Sequence, residues 1–212
     1  MASRHTIGAA LLIVFGIVII GYLTIDTLKQ SAQQDGNPYE GITRPKLYAE
    51  TPIEGEASTR LVLYEFGDFF CAACKANQEV IAQIYAAYGD SVAHAWKDFP
   101  FVSPESKHAA IAARCAGSQG AFWEYHDWLF DHQTSLGSIS YEQGALDIGI
   151  NVDQFSSCFS SGEIDPIVER DFLEGQALGV DITPSYVVGD YAFAGPVTYE
   201  TLERVIQLQT GQ

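Results

Sequence analysis

The chain has 212 residues, 47% of them hydrophobic, with 27 Asp and Glu against 11 Lys and Arg and a formal net charge of −16. Negative charge in that excess repels phosphate backbones and anionic headgroups, which argues against nucleic-acid binding and against docking on an anionic lipid surface. The stretch after Asp26 is long enough for one domain of ordinary size with a substantial core.

In chain order, Arg4 precedes an uncharged stretch from Thr6 to Ile25, rich in Ile, Leu and Val. As a helix this stretch would extend about 30 Å, the hydrocarbon thickness of a bilayer. A cleaved signal peptide is the competing reading, but the apolar part exceeds the usual h-region and no clear A-x-A site follows Ile25. With Arg4 on the cytoplasmic side, everything after Asp26 is exported. Either reading puts the four cysteines where disulfides are permitted. Residues 1–28 are thus expected to form a membrane anchor or signal segment. Residues 29–59, polar and punctuated by Gly36, Pro38, Gly41 and Pro52, read as a linker to a domain over 60–212.

Within the domain, Leu61 to Phe66 reads as a strand, and a helical pattern begins at Cys71-Ala-Ala-Cys74. Ala76, Val80, Ile81, Ile84, Tyr85 and Tyr88 recur as the stripe of one helix, which Gly89 ends. Val92 to Phe99 reads as a second strand, and Ser103-Pro104 as a cap and first-turn proline. Helical periodicity then runs through Ala109 to Ala116, Ala121 to Phe130, Tyr141 to Ile148 and Val152 to Phe159, with Asn151 and Gln154 resembling a capping box. Asp165-Pro166, another cap-and-proline start, opens a helix to about Leu178. Ser185 to Val188 and Tyr191 to Phe193 flank a Gly189-Asp190 turn, and Thr198 to Leu208 forms a final amphipathic helix. The order predicts an α/β fold: a small mixed sheet with helices packed on it and a helical block in the middle.

A cysteine at a helix N-terminus faces unpaired backbone N–H groups and the positive end of the dipole, both of which favour thiolate over thiol. Cys71 is therefore the candidate nucleophile. Cys74, one turn later, can attack a mixed disulfide formed at Cys71 and release the partner. A structural zinc site wants four ligands in short paired spacings, and no second such pair accompanies the first. His94, His108, His126 and His132 form no ligand motif and read as ordinary surface or interfacial side chains. Phe122, Trp123, Tyr125 and Trp128 read as core rather than groove. Phe69 and Phe70 are better placed to line a substrate groove.

The segments Glu65-Phe-Gly-Asp-Phe-Phe-Cys-Ala-Ala-Cys-Lys75, Phe99-Pro100 with His108-Ala-Ala, Gln119-Gly-Ala-Phe-Trp-Glu-Tyr-His126 and Ile182-Thr-Pro-Ser-Tyr186 together resemble the DsbA-like branch of the thioredoxin superfamily. The resemblance covers roughly Arg60 to Leu208. It implies a thioredoxin fold with a helical subdomain inserted at about 104–164. It also implies a cis-proline at Thr183-Pro184 beside the redox pair. Glu65 takes the position of a buried carboxylate that relays protons; from the residues alone, it could equally be an edge-strand carboxylate facing solvent. By the same resemblance Cys115 and Cys158 form a structural disulfide, closing a loop of about 44 residues and stabilising by roughly 4 kcal/mol in the chain-entropy model. Where the family usually has proline and often histidine between its cysteines, this chain has Ala72 and Ala73. Thiolate stabilisation is thereby left to the helix terminus, which predicts a more reducing couple than a histidine-containing motif gives.

These readings imply a membrane-anchored, extracytoplasmic thiol:disulfide oxidoreductase that acts on cysteines of exported proteins and needs no cofactor beyond electrons. A membrane redox partner of the DsbB or vitamin K epoxide reductase type would reset it. Two alternatives stay open: a reductase or isomerase that keeps thiols reduced, and a non-catalytic, chaperone-like binding module with an inert Cys71.

Overall fold

In the computed structural model the described residues are 43–55 and 61–211. The expected membrane segment and much of the linker lie outside them. Among the described residues no helix is long and apolar enough to cross a membrane.

Five strands form one sheet in the order β1-β3-β2-β4-β5. These are β1 (Ile53–Glu54), β2 (Leu61–Gly67), β3 (Val92–Asp98), β4 (Ser185–Val188) and β5 (Tyr191–Ala194). The pair β2 and β3 is parallel, with Leu61 opposite Val92 and Gly67 opposite Asp98. Parallel neighbours need a crossover, here the helix α1 (Ala72–Tyr88) that begins at the redox motif. The other pairings, β1 with β3, β2 with β4 and β4 with β5, are antiparallel. The strand β1 corrects the linker reading, because Ile53 and Glu54 pair with Ala95 and His94 and so belong to the sheet.

Between β3 and β4 lie five helices: α2 (Ser106–Gly117), α3 (Phe122–Asp131), α4 (Tyr141–Asp147), α5 (Val152–Ser161) and α6 (Asp165–Ala177). A 3-10 turn over Gln133–Ser135 follows α3. The last helix, α7 (Tyr199–Thr210), is capped by Thr198, whose hydroxyl accepts from the Thr201 N–H. Two helix starts differ from expectation. Ser103 and Ser106 bond to nearby backbone amides in a preceding turn, so α2 begins at Ser106 and not at Ser103-Pro104. Asp165 is the first residue of α6 and not its cap, with Pro166 in the first turn where its missing N–H loses nothing. At α5, Asn151 caps Gln154 as expected, but the Asn151 N–H is taken by Gln119 Oε1 at 3.0 Å.

Two apolar clusters divide the core. One packs α1 and α7 against the sheet through Leu63, Ile81, Ile84, Val188, Leu202 and Ile206. The other joins the inserted helices to the redox loop through Trp96, Phe69, Cys74, Ala112, Tyr125 and Leu129. Phe122, Tyr125 and Trp128 lie in this second core, as expected. The buried stripe of α1 is Cys74, Asn77, Ile81 and Ile84 rather than one through Ala76, which is exposed. Asn77 displaces the alanine because its side-chain oxygen accepts the Val197 N–H at 2.8 Å, tying down the approach to α7.

A buried ionic cluster, unforeseen in the sequence, holds the N-terminal segment on the domain. Arg114 of α2 pairs with Asp98 at 2.6 Å and with Asp171 of α6, while Lys97 pairs with Glu174 at 2.8 Å. The Arg114 guanidinium also donates to the Glu50 carbonyl at 2.6 Å, and the Lys46 N–H donates to Glu174 at 2.8 Å. Charges this deeply buried require such mutual pairing.

Candidate active site

The loop after β2 sets Cys71 at the head of α1. Gly67 is needed there, since a Cβ on it would fall 2.2 Å from the Trp96 indole. Asp68 then organises the turn. Its carbonyl accepts the Cys71 N–H at 2.9 Å, and its carboxylate accepts the N–H groups of Phe70, Phe101 and Val102, each at 2.8 Å. Phe69 is buried and stacks on Trp96 at 4.9 Å, so it is core and not the groove residue expected. Phe70 is partly buried.

Cys71 is the N-cap of α1, with extended backbone angles of φ −81° and ψ 112°. Its sulfur accepts the Cys74 N–H at 3.2 Å, and as a thiol it donates to the Thr183 carbonyl, also at 3.2 Å. The Thr183-Pro184 peptide is cis. Thr183 Oγ1 is buried with no hydrogen-bond partner. The Cys74 thiol is the largest influence on Cys71; with Thr183 and the first amides of the helix it outweighs burial and lowers the Cys71 pKa to about 6. No contribution comes from a side chain at Ala72 or Ala73. Cys74 is driven the opposite way, chiefly by burial, then by its hydrogen bond to Cys71 and by the charge of Glu65. With Cys71 7% exposed and Cys74 fully buried, only the first sulfur is within reach of a partner.

Glu65 is fully buried in the middle of the sheet, which rules out the edge-strand position facing solvent. It is bonded on three sides: His94 Nε2 at 3.0 Å, Gln78 Nε2 at 3.1 Å and Tyr186 Oη at 3.3 Å. Gln78 also donates to the Cys74 carbonyl at 3.3 Å, linking the carboxylate to the second cysteine's turn. Burial, followed by the Glu65 charge, pushes the Tyr186 phenol up, so it stays a neutral donor. A cavity of about 390 Å³ behind this group is lined by Gln78, Tyr85, His94, Trp123 and Asp127.

The structure thus brings Cys71, Cys74, Thr183, Pro184 and Glu65 to one place. Cys115 and Cys158 are bonded to each other within the inserted block, bridging α2 and α5 with Cα atoms 5.7 Å apart. Three site residues escape the sequence reading. The Asp68 position, three before Cys71, carried a legible signal as a turn-forming aspartate. Gln78 is one turn beyond Cys74, also readable from helical spacing. His94 is found only through strand register, and with His126 it is buried, against the expectation of a surface or interfacial side chain. Among the described residues no group of three or more His, Cys, Asp or Glu side chains is arranged to hold a metal ion.

A family model described as thioredoxin matches residues 48–208. The chain is 30% identical over 159 residues to the Na(+)/H(+) antiporter NhaA 1 of Mycolicibacterium vanbaalenii, a match covering 73% of this chain and 26% of that protein. The chain therefore spans only about a quarter of the length of that curated relative. The solved catalytic domain of Proteus mirabilis ScsC superposes with a TM-score of 0.68 at 26% identity, covering 78% of this chain and 92% of that one. The thiol-disulfide exchange protein alpha-DsbA2 of Wolbachia pipientis gives a TM-score of 0.70 at 22% identity, covering 76% and 87%. With the cysteines, the cis-proline loop and the inserted helices in these positions, the chain belongs to the thioredoxin family, in the DsbA-like form of its fold.

Proposed function

We propose that this chain is a thiol:disulfide oxidoreductase that introduces or exchanges disulfides in cysteine-containing exported proteins through Cys71 and Cys74. The observation that carries the reading is the setting of Cys71, a helix-capping sulfur bonded to the Cys74 amide and the Thr183 carbonyl, with a pKa lowered to about 6. In the oxidising direction a substrate thiolate attacks the Cys71 sulfur of the Cys71-Cys74 disulfide, and Cys74 leaves as a thiolate that takes up a proton. A second substrate thiolate then attacks the substrate sulfur of the mixed disulfide and releases Cys71. Two electrons pass from the substrate dithiol to the pair; of its two protons one ends on Cys74, and the other goes to solvent because Cys71, with a pKa of about 6, leaves as a thiolate. Thr183 and Pro184 flank the attacked sulfur, and Glu65 is placed to exchange the Cys74 proton.

The anchored, extracytoplasmic location rests on the Thr6 to Ile25 stretch and Arg4. A membrane oxidase of the DsbB or vitamin K epoxide reductase type fits as the partner that removes the electrons. The oxidoreductase reading also draws on the thiol-disulfide exchange named for the Wolbachia protein. Ion transport, named for a protein of which the match covers 26%, does not enter it. The two alanines of the motif favour a second reading, a reductase or isomerase, because they lend the thiolate no side chain.

One titration separates these readings. The full chain is equilibrated in glutathione buffers, and alkylated thiols are counted by mass spectrometry. A couple more oxidising than glutathione with fast Cys71 alkylation at mildly acidic pH supports the oxidase. A strongly reducing couple with a reactive Cys71 supports the reductase. A pair inert in both states rejects catalysis in favour of the binding module.

A further inference from the structure

The Cys71 sulfur is aimed by its own backbone, so what holds that backbone governs the chemistry proposed above. Asp68 takes two of the loop's donors, the N–H groups of Phe70 and Cys71. The acceptors on the same turn are met from a different part of the fold. Gln133 Nε2 donates to the Phe69 carbonyl at 2.8 Å and to the Cys71 carbonyl at 3.0 Å. Both partners are carbonyl oxygens, which only accept, so the NH₂ end of the amide must face them. The two hydrogens of a single nitrogen thus fasten carbonyls two residues apart.

Gln133 stands on the 3-10 turn that leaves α3, inside the inserted helical block and 62 positions from Cys71 in sequence. Its neighbours anchor that turn to the block: Ser135 Oγ donates to the His132 carbonyl at 2.8 Å, and His132 Nδ1 is 2.9 Å from the Trp128 carbonyl. The Cys71 carbonyl also accepts the first α1 bond, from the Lys75 N–H at 3.2 Å. The helix alone therefore leaves the Phe69 carbonyl without this partner and the Cys71 carbonyl on one side only. Without those bonds the part-buried turn is free to rotate, because its carbonyls lose partners that water replaces only incompletely.

We propose that Gln133 is a positioning residue for the redox pair. By bridging the Phe69 and Cys71 carbonyls, it holds Cys71 in the capping conformation that aims its sulfur at the Cys74 amide and the Thr183 carbonyl. The inserted block then has a part in the chemistry besides covering the sheet. The inference rests on Cys71 being the nucleophile. Gln133 itself touches no reacting atom.

The test compares the reduced full chain with Gln133→Met, which keeps length and loses both donors, and Gln133→Asn, which keeps the amide but is one methylene too short to reach both carbonyls. Cys71 ionisation is followed by thiolate absorbance and by the pH dependence of its alkylation rate, with thermal unfolding recorded in parallel. The expected result is an alkylation rate at about pH 6 lowered five- to tenfold in Gln133→Met, with the ionisation midpoint moved toward that of an ordinary thiol. Gln133→Asn should lie between this and the unsubstituted chain, and it carries the test if Gln133→Met fails to fold. Variants that lose only thermal stability while Cys71 titrates unchanged would make Gln133 a packing residue and overturn the inference, leaving the oxidoreductase reading intact. An ordinary thiol midpoint in the unsubstituted chain would overturn both.

Discussion

Glu65 and His94 meet at 3.0 Å between two parallel strands, with hardly any solvent reaching either side chain. Because β2 and β3 are parallel, Leu63 lies opposite His94, and both share a face of the sheet with Glu65. The proton released or taken up at Cys74 has no direct path to water, since that thiol is fully buried. Glu65, joined to the Cys74 turn by Gln78, is the carboxylate proposed above to take it. Glu65→Gln keeps the shape and removes the base. The mixed disulfide between Cys71 and a model peptide should then be resolved by Cys74 about 10²-fold more slowly, within the range of general-base contributions. Stopped-flow measurement of its lifetime is the check, with Cys71 alkylation as the control. An unaltered lifetime would remove Glu65 from the mechanism.

The lowered Cys71 pKa makes a signed prediction about stability. Its value of about 6 lies below the ordinary 9.0, so the reduced fold gains stability that is complete above pH 9 and is lost as pH falls through about 6. The raised pKa of Cys74 works against folding only above the ordinary thiol range. The oxidised form has neither thiol. Between about pH 6 and 9, the stability of the reduced form relative to the oxidised form should therefore rise with pH. Urea unfolding of both forms across that window measures it, and a flat difference would mean that the Cys71 thiolate gains nothing from its surroundings.

The elements that carry local signals were readable. Cys71 at the helix start, the Asn151 cap and the Gly189-Asp190 turn all stand in the structure where residue type and spacing put them. What escaped depends on register and long-range placement. His94 looks like any strand histidine until β3 is laid beside β2. Arg114 looks like a surface arginine on a helix until Asp98 and Asp171, 16 residues before it and 57 after, close on it. Ile53 and Glu54 are too short a run to signal a strand, and only the edge of β3 makes them one. Phe69 and Phe70 are adjacent and alike, and the turn through Asp68 decides which is buried.

The Cys115–Cys158 bridge should contribute stability and nothing to exchange. Its ends are 43 residues apart, a loop for which chain entropy gives about 4 kcal/mol. The double variant Cys115→Ala/Cys158→Ala should lose up to about that amount in urea unfolding. The potential of the Cys71-Cys74 pair and its alkylation rate should remain as they were. A changed potential would tie the bridge to the redox site and contradict a purely structural role.

Arg114 offers the sharpest test of the buried ionic cluster. Arg114→Met retains most of the side-chain volume but strips a cation from Asp98 and Asp171, both enclosed by protein. Removing one partner from a buried pair typically costs about 3–5 kcal/mol. The pH dependence identifies the source. Burial already pushes the Asp98 carboxyl up, and Arg114 is the chief group opposing that shift. Without the guanidinium, the folded pKa of Asp98 rises further above its unfolded value, so the variant is penalised where the carboxyl must ionise and relieved as it protonates. The stability deficit should be largest near neutral pH and shrink toward about pH 5. A deficit constant over that range would assign the loss to packing against Phe122, over whose ring the guanidinium lies at 5.8 Å, and to the lost bond to Glu50, instead of to unpaired charge.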